Sequence, residues 1–242
     1  MIQNCTGIVL KQKIWGEKDL LLSVLSEEGH LKEWIVKGAG SGNSKRRSHL
    51  ELMNKIRGTL YINGKNHYLQ SVECVESFYH LKQDFKRVFA AQLFLEVIKR
   101  SLVPEDPYPA GFQLLERTFE HLNGKDPCPL GVEIGLVKWG ELLGILPNFR
   151  TCGACHQWIK EIARWNGEKQ VLLCEPCGGA YGEELELKYR KALEFFKTAS
   201  FHECRNLTLK ESESSKLREL IPYFFRDHLD QPLKSLPMAR IA

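Results

Sequence analysis

Two groupings of residues in this chain have types and spacing suited to chemistry. The first is a cysteine quartet, Cys152, Cys155, Cys174 and Cys177, written C-x2-C-x18-C-x2-C. Two intervening residues let both sulfurs of a pair turn toward one ion, and the spacing falls in the range of a four-thiolate zinc site. Gly153, Gly178 and Gly179 relieve the backbone around each knuckle. Four thiolates close a tetrahedron, so the expectation is one structural zinc ion, which folds a segment of about 30 residues too poor in apolar side chains to hold itself. A redox pair is the rival, but it calls for one C-x-x-C at a helix start in a βαβ context, whereas here the motif is doubled and flanked by strand residues such as "KQVLLC". A nucleobase deaminase calls for H-x-E and then P-C-x-x-C; Leu173 and Thr151 precede the two pairs, and no H-x-E lies upstream. With four thiolates present, His156 is expected to be exposed rather than a ligand. Trp158 and Trp165 are expected to form a small core beside the ion, with a stacking surface for bases as the alternative.

The second grouping is "VKGAGSGNSKRRSHLE", Val36 to Glu51, a run of small residues leading into Lys45, Arg46 and Arg47. A P-loop needs a second Gly followed by Lys, but counting from Gly38 arrives at Asn43, so the nucleotide cradle fails. Between Lys37 and Arg57 stand six Lys or Arg and one acid, Glu51, which concentrates the positive charge of a chain of net charge +4 on one segment. The expected role for Lys37, Lys45, Arg46, Arg47 and Arg57 is sequence-independent contact with DNA phosphates from a mobile loop. Trp15, Trp34, Tyr61 and Tyr68 could add base stacking if they face the same groove. The plainer alternative is a solubilising loop with those aromatics in a core.

Elements of two periods must position these groups. From Thr6 to Ser77 the apolar period is two: "CTGIVLKQKIW", "DLLLSVLSEEG" and "HLKEWIVKG" read as strands. Leu50, Leu52, Ile56, Leu60 and Ile62 share one parity of a fourth, and Asn63-Gly64 would close a type I′ hairpin into a fifth. Five short strands over about 75 residues suggest a small closed barrel, most simply an OB-fold. After Ser77 the spacing becomes helical: Phe85 to Leu102 ahead of Pro104; Phe112 to Leu122 ending at Asn123-Gly124; Leu130 to Pro147; Leu185 to Phe201; and Ser212 to Leu229, interrupted by Pro222. The stripes on these helices read as bundle core, with a groove for a partner's apolar tail as the other reading. The fold class is α+β: an OB-fold barrel at 1–80, helices at 81–150, a zinc module at 151–180, and C-terminal helices at 181–242 that pack with the helical domain.

Composition bounds the function. No run of 18 apolar residues and no charged leader before an apolar block is present, so the chain is expected to be cytoplasmic. Eight cysteines in that setting do not suggest a disulfide framework; Cys5, Cys74, Cys128 and Cys204 read as small buried hydrophobes. No nucleotide motif and no catalytic carboxylate pair is recognisable, so no enzymatic activity is expected.

The ordered segments "GIVLKQKIWGEKDLLLSVLSEEGHLKEWIVKGA", "KWGELLGILPNFRTCGAC" and "HLDQPLKS" resemble the RecO family of bacterial recombination mediators over nearly the whole length. The resemblance implies an OB-fold, a helical domain and a zinc module. It also implies binding of single- and double-stranded DNA, annealing of complementary strands, and work at the nucleoid with RecR and single-stranded-DNA-binding protein to load RecA. Relatives often place arginines directly after the Lys37-Gly38-Ala39 motif, where this chain first inserts Gly40 to Ser44, and the closing Leu-Lys-Ser is followed here by Leu236. A zinc-ribbon adaptor that binds proteins and not DNA is the alternative reading.

Overall fold

The computed structural model describes residues 1–42, 44–103, 105–179, 182–207, 209–226, 228–229 and 231–237. By contacts the chain divides into two compact units, Met1–Val88 with Ile98–Lys125, and Phe89–Val97 with Asp126–Ala242.

In the first unit the period-two pattern becomes β1 (Ile2–Trp15), β2 (Asp19–Ser26), β3 (Leu31–Val36), β4 (Lys55–Asn63) and β5 (Asn66–Glu76). They close a barrel in the order β1-β2-β3-β5-β4, with β3 parallel to β5 and β4 returning to β1. This is the OB-like barrel that the alternation implied. Val9, Leu22, Val24, Trp34, Val36, Ile56, Leu60 and Leu69 fill its interior. Burying such side chains contributes roughly 1.5–3 kcal/mol each.

Two local readings are corrected. Leu50 and Leu52 keep the strand parity, yet β4 begins only at Lys55: residues Arg47–Leu50 form a 3-10 turn, and Met53 takes φ 73. Asn54 holds that curl by donating from Nδ2 to the carbonyls of Ser48 (3.1 Å) and His49 (2.9 Å). In the β4–β5 hairpin Asn63 pairs with Asn66, so the two central residues are Gly64 and Lys65. Only Gly64 has positive φ (58°), the signature of a type II′ turn in place of I′.

The same unit holds α1 (Tyr79–Lys82) and α3 (Pro109–Asn123), with α2 (Phe85–Ser101) running through both units. Asp84 caps α2 by accepting from the N–H groups of Lys86 and Arg87, and Pro109 opens α3 at a position that needs no donor. Phe112, Leu115, Phe119 and Leu122 are buried as the helical stripe required, Phe119 edge-on to Phe78 at 5.4 Å. Phe85, counted in the stripe, stands 80% exposed at the first turn of its helix. Pro104, read as the stop after α2, lies outside the described residues.

The second unit carries α4 (Gly131–Leu142), β6 (Ile162–Asn166), β7 (Val171–Cys174), α5 (Glu175–Gly178), β8 (Glu183–Glu186), α6 (Leu187–Thr198), α7 (Phe201–Arg205), α8 (Glu211–Leu220) and α9 (Tyr223–Arg226). The sheet order is β7-β6-β8. Residues expected to start a helix at Leu185 are therefore an edge strand, paired through Leu185 with Ala163. The break between α8 and α9 falls at Pro222, where the ring removes a helix donor. Of the scattered cysteines, Cys5, Cys128 and Cys204 are buried, whereas Cys74 is only half-buried. Burial pushes the Cys5 and Cys204 thiols up to about 11, which keeps them protonated and inert.

Candidate metal centre and nucleic-acid interface

The four cysteines of the quartet converge. Their Sγ atoms all lie within 4.8 Å of one another, and those of Cys155 and Cys174 are 3.7 Å apart. A tetrahedral zinc with bonds of about 2.3 Å sets its sulfurs about 3.8 Å apart, so the cluster fits such an ion with little adjustment. The sequence builds the site from two knuckles. In the first, Cys152 N–H donates to Gln157 O, Gly153 N–H to Leu172 O and His156 N–H to Cys152 O, closing a turn on the edge of β7. A Cβ on Gly153 would lie 2.5 Å from Val171 Cβ, so only glycine allows the approach. In the second, Cys174 ends β7 and Cys177 sits in α5, with Gly179 at φ +56° turning the chain out.

The thiols are unequal. Burial raises Cys152, but N–H groups of Cys155, Cys174 and Ala154 outweigh it and hold the thiol down to about 6. Hydrogen bonds that the Cys177 thiol donates toward the Cys174 and Cys155 sulfurs push it up to about 12. His156 is exposed, as expected. The two tryptophans part company: Trp165 is buried edge-on to Phe224 at 5.2 Å, whereas Trp158 is 69% exposed.

Trp158 instead walls a groove of about 450 Å³ in the same unit, with Phe149, Ile159, Leu187 and Phe195, and with Lys191 and the Arg150–Glu194 ion pair (3.3 Å) on its lining. Beneath it Arg190 is buried and donates to the carbonyls of Phe149, Ile159, Lys160 and Glu161 at 2.9–3.3 Å. It pairs with no carboxylate among the described residues, an uncommon condition for a buried cation.

In the first unit hydrogen bonds tie the two ends of the basic segment to the barrel. Lys37 Nζ bonds Asp19 at 2.7 Å, and Gly38 N–H reaches the same carboxylate at 2.9 Å. Those two donors hold the Asp19 carboxyl below its usual range. Gly40 N–H donates to Lys18 O at 2.8 Å, an approach that leaves a Cβ only 2.9 Å from Asp19 O. Arg46 bonds the carbonyls of Lys37 and Gln70 through its guanidinium. Lys45 and Arg47 stay exposed on either side of it. Lys37, Lys45, Arg46 and Arg47 are thereby gathered at the end of β3. Arg57 is not part of that group: it lies on β4 beside Glu73 (3.6 Å) in a polar cleft of about 510 Å³ with Asn4, Thr6, Thr59 and Ser71.

Among the aromatic candidates, Trp34 is only 1% exposed and belongs to the barrel core. Tyr61 (40% exposed) and Tyr68 stack at 6.4 Å, and Trp15 (48% exposed) rides the β1–β2 hairpin. Lys37 Nζ lies 5.9 Å from the Tyr68 ring and Lys13 Nζ 5.9 Å from the Trp15 ring. Sequence reasoning missed Lys13, Leu21 and Ile35, which the strand register sets in line with the tyrosines; it missed Asp19 and Arg190 as well, for which no local signal existed.

Comparison with known proteins decides the family. Residues 1–78 match the family described as Recombination protein O N terminal, and residues 82–237 match Recombination protein O C terminal. The chain belongs to the RecO family. Similar proteins named DNA repair protein RecO include one from Moorella thermoacetica, 26% identical over 95% of this chain and 87% of that one. Those from Syntrophobacter fumaroxidans and Bacillus mycoides are each 23% identical, covering 98% and 97% of this chain and 96% and 95% of theirs. The chain is thus a DNA repair protein of the RecO family. No helix among the described residues is long and apolar enough to cross a membrane.

Proposed function

We propose that this RecO-family chain is a non-enzymatic DNA-binding factor that grips single and double strands without regard to sequence and anneals complementary strands. The observation that carries the reading is the gathering of Lys37, Lys45, Arg46 and Arg47 at one end of a closed OB-like barrel. Annealing needs no nucleophile or general base. It needs charge neutralisation between two phosphate backbones and bases left free to pair. One zinc ion on Cys152, Cys155, Cys174 and Cys177 would close the tetrahedron and stabilise the three-stranded sheet, contributing roughly 10–16 kcal/mol to a module of that kind.

The partners of this reading are RecR and single-stranded-DNA-binding protein, with RecA loaded as the outcome, at the nucleoid. The Trp158 groove supports it: apolar walls over Arg190, which no carboxylate among the described residues pairs, with Lys191 alongside and Arg150 already bound to Glu194, suit a partner's tail that brings apolar side chains and a carboxylate. That groove is also what favours the second reading, a protein adaptor without direct DNA contact. Salt-sensitive retention of labelled oligonucleotides separates the two. We expect retention that fades between 50 and 200 mM salt, and acceleration of annealing of complementary oligonucleotides. Absence of retention in dilute buffer would leave only the adaptor.

A further inference from the structure

We propose that Cys155 and Cys174 form a peroxide-oxidisable site: oxidation joins them as a disulfide, frees the zinc and slackens the Trp158 wall of the neighbouring groove. The inference rests on the zinc reading above and adds a way for that centre to be switched.

Exposure and distance choose the pair. Cys155 and Cys177 are exposed, Cys174 is half-buried and Cys152 is buried. Peroxide attacks thiolates that face solvent, and a zinc-held sulfur is a thiolate. Burial raises the thiols of Cys5, Cys74, Cys128 and Cys204, so these four stay protonated and react slowly. The Cys155 and Cys174 sulfurs stand 3.7 Å apart, against about 2.0 Å in a disulfide, and they belong to different knuckles. A bond between them keeps the first knuckle at the end of β7 once the ion has gone.

The step balances. The Cys155 sulfur attacks one peroxide oxygen: an S–O bond forms, the O–O bond breaks and hydroxide leaves, giving a sulfenic acid. The Cys174 thiolate then attacks that sulfur; an S–S bond forms, the S–O bond breaks and a second hydroxide leaves. The sulfurs give up two electrons, which the peroxide takes. Cys152 and Cys177 remain, half of the set that a closed structural site needs. A small dithiol reverses the change by exchange.

One hairpin carries both the metal end and the groove end. Cys152 N–H donates to Gln157 O and Ile159 N–H to Arg150 O, each at 2.9 Å, with Thr151 bridged to Trp158 between them. Cys152 and Cys155 sit at the tip, whereas Arg150, Trp158 and Ile159 at the base line the groove. Arg190 ties that base through the carbonyls of Phe149 and Ile159. Trp158 is 69% exposed, so the hairpin and not packing holds its ring. Replacing metal bonds to four sulfurs by one S–S bond frees Cys152, whose neighbour Thr151 is the residue bridged to Trp158.

The test titrates zinc-loaded wild type with hydrogen peroxide, reading zinc by a chromophoric chelator, tryptophan quenching by acrylamide, and the masses of tryptic fragments. One zinc should be released per chain, and fragments 151–160 and 170–188 should appear joined through Cys155 and Cys174. Quenching should increase on release, and the increase should be missing in Trp158→Phe, which keeps its zinc. Removing the metal with a chelator and no oxidant should raise quenching at least as much. Dithiothreitol with added zinc should restore the starting state. Zinc retained at peroxide levels that fully oxidise free cysteine, sulfurs linked only within each C-x-x-C pair, or quenching unchanged after release would each overturn the switch. A wild type that takes up no zinc on reloading would instead bring down the zinc reading, and this inference with it.

Discussion

Replacing Lys45 and Arg47 by alanine perturbs the proposed phosphate contacts with the least disturbance of the barrel. Both side chains are exposed, and neither forms an ion pair among the described residues. Arg46 differs: its guanidinium bonds the carbonyls of Lys37 and Gln70, so its removal also loosens the tie between the segment and the barrel, at a net cost of about 1 kcal/mol or less for each of these exposed bonds. Each phosphate contact with a single strand contributes about 0.7 to the slope of log K against log salt. The double variant should therefore flatten the slope by about 1.4. Between 50 and 200 mM salt that amounts to about sevenfold less loss of affinity than wild type shows. The variant binds more weakly in dilute buffer, and the two curves converge as salt rises. Adding Arg46→Ala should bring the total to about 2.1, together with a salt-independent loss where the end of β3 loosens. Fluorescence anisotropy with a labelled oligothymidylate at four salt concentrations measures both quantities. An unchanged slope in the double variant would show that these two cations touch no phosphate, and a parallel downward shift would point to damage of the fold.

Three further outcomes follow from the second unit. Arg190→Leu strands the buried carbonyls of Phe149 and Ile159 and should cost about 1–3 kcal/mol for each, read as a lowered denaturant midpoint; Arg190→Lys, lacking the fork, should recover only part of it. Metal analysis of the wild type should give one zinc per chain, and Cys155→Ser should abolish it and lower the melting temperature; a variant that retains full metal and stability would refute the four-thiolate centre. Glu133 is fully buried in α4, and that burial raises its carboxyl despite its own N–H and Arg218 nearby. A raised folded pKa penalises the native state once pH exceeds the unfolded value of about 4.3 and is harmless below it. Glu133→Gln should thus raise the melting temperature at pH 7, with the gain disappearing as the two proteins are compared in acid.

What was legible in the sequence was whatever a single segment decides. The alternation of β1 to β5 and the stripe Phe112, Leu115, Phe119, Leu122 carry their own period, and C-x2-C carries its own geometry. What was not legible depends on distant residues. "EELE" has the acidic look of a helix start, and becomes β8 only because β6 offers an edge and Leu185 a place inside. Trp158 and Trp165 sit in similar polar surroundings in sequence; Phe224, 59 positions beyond Trp165, buries one and not the other. The basic loop reads as a tether, but Asp19 and Asn54 tie it down across gaps that no local pattern reports. Arg57 shares the charge of the loop and not its location, since its strand carries it to the cleft by Glu73.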